Sequence, residues 1–401
     1  MSSRRPSRLL TAAALVAAVL AGCAGCTGSD GQPDPSTRPP RDIVHALDRA
    51  LDARARVVRR GDAEAFDRLV GGGRGFRARQ DTWFGNLGQL PIARLSYRAD
   101  PASLVRDGDA YRVTVTESLQ LDGYDAEPVT SQGRYRFAPA RRHPGRFVLT
   151  AVTEAHPQPW DTGPIEVREG DGVLGVFDAD SVDRASELIA SVEDGIASVA
   201  AEVPYEWSRT VVVYALTDAT FLESLEDVPG DDPGDLDAVA FPAGTGTRFV
   251  LNPRMLDQAG RERDRLVRHE LTHVAVGTHD DQAPVWLSEG LAEYVSVRPL
   301  APEDRRIPEA AVAAAEAGAS DLPDDATFND ADSDAHYGLA WWAVEYLADA
   351  YGEDAPWQLL DAMAVPDADP DTVLRDQFAT STHELAKQAD RLIVSLYDVA
   401  G

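Results

Sequence analysis

The sequence predicts an α+β protein. Three observations carry that expectation. Segments with helical spacing of apolar residues are followed, over 93–154, by segments rich in β-branched and aromatic residues with turn signals between them. Beyond residue 165 the order is reversed, with strands first and then mostly helix from 261 onward, which again means α+β. The hydrophobic share of 44% and the charged share of 26% are those of an ordinary globular chain, which excludes general disorder. At 401 residues the chain has room for two or three compact units. Acidic residues outnumber basic ones 67 to 38, for a formal charge of -29, so the chain repels polyanions and nucleic acid is excluded as a partner.

Residues 1–8 carry Arg4, Arg5 and Arg8 without an acid, and 9–20 are apolar apart from Thr11. That run is too short to span a bilayer, which needs about 20 apolar residues, and it fits the core of a signal peptide. It ends in Leu20-Ala21-Gly22-Cys23, which resembles the lipobox of bacterial lipoproteins. The resemblance implies a signal peptide over 1–22 and a mature chain that begins at an acylated Cys23, palmitate among its lipids. The protein is then anchored by lipid to the cell membrane, on the extracytoplasmic face. The only other cysteine is Cys26, so the rest of the chain has neither a disulfide framework nor a cysteine metal site. Residues 23–40, rich in Pro, Gly and polar side chains, read as a flexible tether.

Beyond the tether, 42–60 places Ile43, Leu47, Leu51, Ala55 and Val58 at helical spacing, and Gly61 ends the helix. A second short helix over 62–70 stops at Gly71-Gly72-Gly73. Strands are expected at 93–97, 111–121, 133–138 and 146–154. This order resembles the cystatin-like fold of nuclear-transport-factor-2-type domains, so 41–156 is expected to be a small α+β spacer or binding domain. His45 and His143 are isolated there and nominate no chemistry. The Pro-rich stretch 157–164 reads as a boundary. A strand at 173–177, a long helix over 182–203, a strand at 209–216 and a short helix from 218 follow. An acidic Pro/Gly loop at 226–237, short strands at 238–241 and 248–251, and a break at Asn252-Pro253 lead into the helical part.

His269-Glu270-Leu271-Thr272-His273 carries the chemistry. It sits in a stretch without Gly or Pro, and Gly277 is a natural helix stop. Residues four apart on a helix share a face, so both imidazoles can close on one ion, while the adjacent Glu270 stands beside the position open to water. A carboxylate there can accept a proton as water attacks a carbonyl. The similar lettering at His383-Glu384-Leu385 has Lys387 where the second histidine would be and cannot chelate.

Two residues compete as third ligand. His279 stands six after His273, but the turn that spacing needs falls on Val276, a β-branched residue that resists positive φ. Glu289, within Trp286-Leu287-Ser288-Glu289-Gly290-Leu291-Ala292-Glu293-Tyr294, stands on a second helix opened by Ala283-Pro284. Together the two segments resemble the gluzincin zinc metallopeptidases with a peptidase-MA-like domain, a thermolysin-like fold. The resemblance implies such a domain over 165–400, with a mostly α-helical C-terminal part. It also implies one zinc ion per chain held by His269, His273 and Glu289, with Glu270 as base. The resemblance further implies that Glu293, one turn after Glu289, buttresses a zinc histidine, the alternative being a solvent-facing charge.

In His336-Tyr337-Gly338-Leu339 the resemblance further implies a tyrosine that donates to the oxyanion, which is Tyr337, with His336 in reserve. Residues 301–332 intervene as a candidate lid, and the strand at 238–244 as an edge for an extended peptide. The acidic stretch at 321–334 lacks the order of a calcium loop and reads as solvated. The function implied is hydrolysis of a peptide or protein substrate by a membrane-anchored zinc metallopeptidase. The competing reading is a catalytically silent zinc-fold lipoprotein that acts as a binding or scaffolding module.

Overall fold

A computed structural model of the protein describes residues 41–225, 234, 236–258, 260–318, 321–366 and 368–397. The expected signal peptide, Cys23 and the tether lie outside the described residues, as does most of the acidic loop at 226–237.

Three helices open the described chain: α1 (Arg41–Arg59), α2 (Ala63–Asp67) and α3 (Arg74–Leu87). Helix α1 buries Leu47, Leu51, Ala55 and Val58 on one face, as their spacing requires. The Asp62 carboxylate caps α2 by accepting from the Ala65 N–H at 2.9 Å. Helix α3 was not expected from the sequence. Its inward face carries Gln80 and Asn86 among Phe76, Trp83 and Leu87, and those two polar residues break the apolar period. Asn86 has its own task there. Its amide donates to the carbonyls of Trp160 (2.9 Å) and Gly163 (2.7 Å), and its oxygen accepts from the Ile165 N–H (3.1 Å).

The first sheet comprises β1 (Ile92–Ala99), β2 (Val105–Asp107), β3 (Ala110–Leu121), β4 (Val129–Pro139) and β5 (Phe147–Glu154). It is antiparallel in the order β1-β3-β4-β5, with β2 paired to β3. Residues 157–164 form a short helix, α4 (Pro159–Thr162), whose Trp160 is buried in a cluster to which both sheets contribute.

The second sheet is mixed, in the order β6-β7-β8-β10-β9: β6 (Glu166–Gly170), β7 (Val173–Phe177), β8 (Val211–Ala215), β9 (Ala238–Ala243) and β10 (Gly246–Leu251). Strands β7, β8 and β10 run parallel, and both outer strands are antiparallel to their neighbours. Helix α5 (Ala185–Glu202) makes the crossover between β7 and β8, and the short α6 (Thr220–Glu223) follows β8. Every residue of β7 and β8 is buried, as strands covered on both faces must be. Leu174, Val176, Val212 and Tyr214 pack toward the first sheet, while Val173, Phe177, Val211 and Val213 pack toward the helices.

The helical part comprises α7 (Gly260–Val276), α8 (Val285–Val297), α9 (Glu309–Ala317), α10 (Ser333–Tyr351), α11 (Ala355–Met363), α12 (Pro370–Phe378) and α13 (Thr382–Tyr397). Three contacts fasten the candidate lid segment to its surroundings. Phe328 is fully buried against Tyr337, the Asp325 carboxylate accepts from the Val285 N–H at 2.9 Å, and the Tyr397 hydroxyl donates to the Arg305 carbonyl at 3.2 Å. Among the described residues no helix is long and apolar enough to cross a membrane.

Candidate metal centre

Helix α7 lies on the helix-covered face of the second sheet and buries Val267, Leu271 and Ala275 in that core. Fixing those residues turns His269, Glu270 and His273 toward α8. Glycine at 277 takes φ +60, ends the helix and begins the single turn Gly277–Asp280 that leads to α8.

The structure brings His269, His273 and Glu289 together. The two Nε2 atoms are 3.3 Å apart, and Oε2 of Glu289 lies 3.1 Å from Nε2 of His269 and 3.5 Å from Nε2 of His273. These three buried or half-buried groups could hold a metal ion. Oε2 of Glu289 is shielded from water and lies against the two imidazoles, which suits a carboxylate that serves a cation. Burial works to raise the pKa of Glu289, but the facing His273 and His269 rings outweigh it and hold the carboxyl well below the usual range. For His269 and His273 burial works to lower the pKa, and the carboxylates around them win and raise both.

Behind the three groups stand two acidic supports. Oε1 of Glu293 is 3.2 Å from Nδ1 of His269, and its other oxygen accepts from Arg265. Arg265 also donates to the Arg306 carbonyl at 2.7 Å and lies 5.1 Å from the centre of the Trp341 ring. Burial would raise the Glu293 pKa, yet Arg265 and His269 bring it down to about 2. On the other side Oδ2 of Asp280 faces Nδ1 of His273 at 3.8 Å and accepts from the Ser288 hydroxyl. Sequence reasoning missed Asp280. The available signal was the glycine stop at 277, which turns the chain back under His273.

Glu270 is 4% exposed. Burial pushes its pKa up, and the two histidines and the Ala240 backbone N–H of β9 offset part of that rise. The Tyr337 ring of α10 stands 6.1 Å from that of His269, and its hydroxyl donates to Oδ1 of Asn329 at 3.3 Å. Burial first, and then the carboxylates of Glu289, Glu270 and Glu293, push its pKa well up, so it stays a protonated donor. Two other residues point elsewhere. His336 sets Nδ1 2.8 Å from the Phe328 carbonyl oxygen, and His279 stacks on Tyr205 at 3.9 Å between ring centres, outside the cluster. His383 sits on α13 opposite Asp321, 3.3 Å away. Strand β9 ends the sheet beside Glu270.

No protein-family model matches the chain, and no curated protein matches it.

Proposed function

We propose that the protein is a zinc-dependent metallopeptidase of the gluzincin kind, anchored by lipid on Cys23 at the extracytoplasmic face of the membrane and acting on a peptide or protein substrate. The observation that carries this reading is the triangle of 3.1, 3.3 and 3.5 Å between the ligating atoms of His269, His273 and Glu289. A tetrahedral zinc ion with bonds of about 2.0–2.1 Å sets its ligand atoms about 3.3 Å apart. Two imidazoles and one carboxylate form the donor set of catalytic zinc sites, which keep one position open, whereas structural sites are rich in cysteine. When bound, zinc supplies Lewis acidity and lowers the pKa of water.

The chain's own groups fit the remaining work. Glu270 is buried beside the triangle with a raised pKa, as suits a base that takes a proton from water and passes it to the leaving amine. The Tyr337 phenol, protonated and close to Glu289, is the donor for the carbonyl oxygen as it gains charge. Glu293 and Asp280 orient the two imidazoles. The edge of β9, ahead of Glu270, offers backbone groups to which an extended peptide can add as a strand.

The test is cleavage of a broad peptide library by the purified full chain, stripped with a chelator and then reconstituted with zinc. Activity that returns with zinc and is missing from Glu270→Gln supports the proposal. A zinc-loaded, folded wild type that cleaves nothing contradicts it.

A further inference from the structure

The two faces of the first sheet differ in chemistry. Along β3 the inward row from Val113 to Leu121 is buried, Glu117 included, and the alternate row from Arg112 to Gln120 is exposed or half-buried. Arg94 and Arg98 of β1 and Arg134 and Arg136 of β4 stand on that same outer face, exposed or half-buried. The register sets Arg98 beside Thr116 and Thr116 beside Gln132. It also sets Thr114 beside Arg134 and Arg112 beside Arg136.

Five arginines thus share one face with a single acid, Asp107 of β2. Its carboxylate accepts from Arg136 at 2.7 Å and lies 3.0 Å from Arg112. Arg94, Arg98 and Arg134 form no ion pair among the described residues. The bias continues through the hairpin that β4 and β5 make. Residues 128–153 hold Arg134, Arg136, Arg141, Arg142 and Arg146 and no Asp or Glu, in a chain where 67 of 401 residues are acidic. Arg141, Arg142 and Arg146 are exposed in the turn, which the Ala140 N–H closes by donating to the Arg146 carbonyl at 2.9 Å.

Like charges gathered on a sheet repel one another, which an outside anion relieves. At physiological salt a charge acts over only about 8 Å. The face therefore presents positive charge to whatever lies flat against it, although the chain as a whole carries -29. A soluble polyanion meets the field of the whole molecule, whereas a planar anionic surface meets one face. Guanidinium groups fork onto phosphate oxygens, and the hydroxyls and amides between them add donors. These donors stand on a sheet and not in a cleft, which fits a layer of headgroups. Eighteen residues separate Cys23 from Arg41, where α1 begins, a reach of at most about 60 Å. A lipid on Cys23 would leave the first sheet within reach of the headgroups.

We propose that the outer face of the first sheet docks on anionic phospholipid headgroups, with phosphates on Arg94, Arg98 and Arg134. The proposal rests on the membrane-bound reading of the protein, but its test needs neither the lipid anchor nor the metal. The test is co-sedimentation of the chain from residue 23, made without lipid, with vesicles of phosphatidylglycerol and phosphatidylcholine. Vesicles of phosphatidylcholine alone are the control. Binding is expected to the anionic vesicles only, and to fall as salt rises. The triple variant Arg94→Gln, Arg98→Gln, Arg134→Gln should bind about tenfold or more weakly. A second triple variant, Arg56→Gln, Arg59→Gln, Arg60→Gln, removes the same charge from the exposed end of α1 and should bind as the wild type does. Circular dichroism checks that each variant folds. No binding to anionic vesicles, equal binding to both kinds, or undiminished binding by the folded first variant would each overturn the proposal. Tighter binding to soluble inorganic polyphosphate than to vesicles would overturn it too, by assigning the face to a polyanion chain. Lipid on Cys23 is read separately, from the mass of the protein extracted from membranes, so failure of that reading is distinguishable from failure of this one.

Discussion

Gly290 of α8 and Ala340 of α10 meet backbone to backbone: a Cβ on Gly290 would stand 2.6 Å from the Ala340 carbonyl oxygen. The glycine directly follows Glu289, and Ala340 lies nearly one turn beyond Tyr337, so this contact sets how close the carboxylate and the phenol stand. Gly290→Ala is expected to force the helices apart. Overpacking of this kind costs about 1–3 kcal/mol, read by urea unfolding. The same variant should bind metal more weakly in competition with a chromogenic chelator. Wild-type metal affinity in the alanine variant would mean that the contact does not position Glu289.

In the proposed function Glu293 and Asp280 support a bound metal through the imidazoles they face, His269 and His273. Loss of such a support typically weakens metal binding about 10–100-fold, and that range is expected for Glu293→Gln and for Asp280→Asn. Chelator competition on the folded variants measures it without reference to activity. Arg265→Gln, one step further out, is expected to have a smaller effect in the same direction.

Glu270 touches none of the three ligating atoms in a binding role, so Glu270→Gln should keep its metal and its melting temperature. Its peptide cleavage should fall by about 10²–10⁴-fold, the usual worth of a general base. Tyr337→Phe removes only a donor and should lower kcat while leaving KM nearly unchanged. A glutamine variant that cleaves at the wild-type rate would remove Glu270 from the mechanism.

Stability should depend on pH through Glu117. Its ordinary value of 4.5 is raised to about 8 in the folded protein, chiefly by burial. A folded-state pKa above the unfolded one means that the group's contribution is fully present below pH 4.5 and lost as pH rises through about 8. Glu117→Gln carries no such loss. Relative to wild type it should gain stability as pH rises from about 5 to about 8, by roughly a few kcal/mol at the upper end. Urea unfolding of both proteins at several pH values measures the gap. A constant gap across that range would show that the carboxyl is not held protonated.

Much of the candidate metal centre was legible because helical geometry relates the members of each pair, while the resemblance of the two segments joined one pair to the other. His269 and His273 lie four apart, as do Glu289 and Glu293, and each pair shares a face without help from distant sequence. Alternation along β3 was legible for a similar local reason. What sequence reading missed depends on contacts made across long separations. Helix α3 turns Gln80 and Asn86 inward because Asn86 binds the backbone of 160–165, more than seventy residues away. Strand β6, Glu-Val-Arg-Glu-Gly, is a polar edge with no apolar alternation. Asp280 reaches His273 only through the tight turn after Gly277, and His279 beside it is drawn off by Tyr205. The parallel order of β7, β8 and β10 follows from the α5 crossover and has no mark in any one strand.

The most direct test is elemental analysis of the purified full chain after exposure to zinc and removal of excess, with His273→Ala and Glu289→Ala beside it. The expected result is about one zinc ion per wild-type chain, the stoichiometry of a three-ligand catalytic site, and little in either variant. A folded wild type without zinc, or a full complement retained by both alanine variants, would contradict the account.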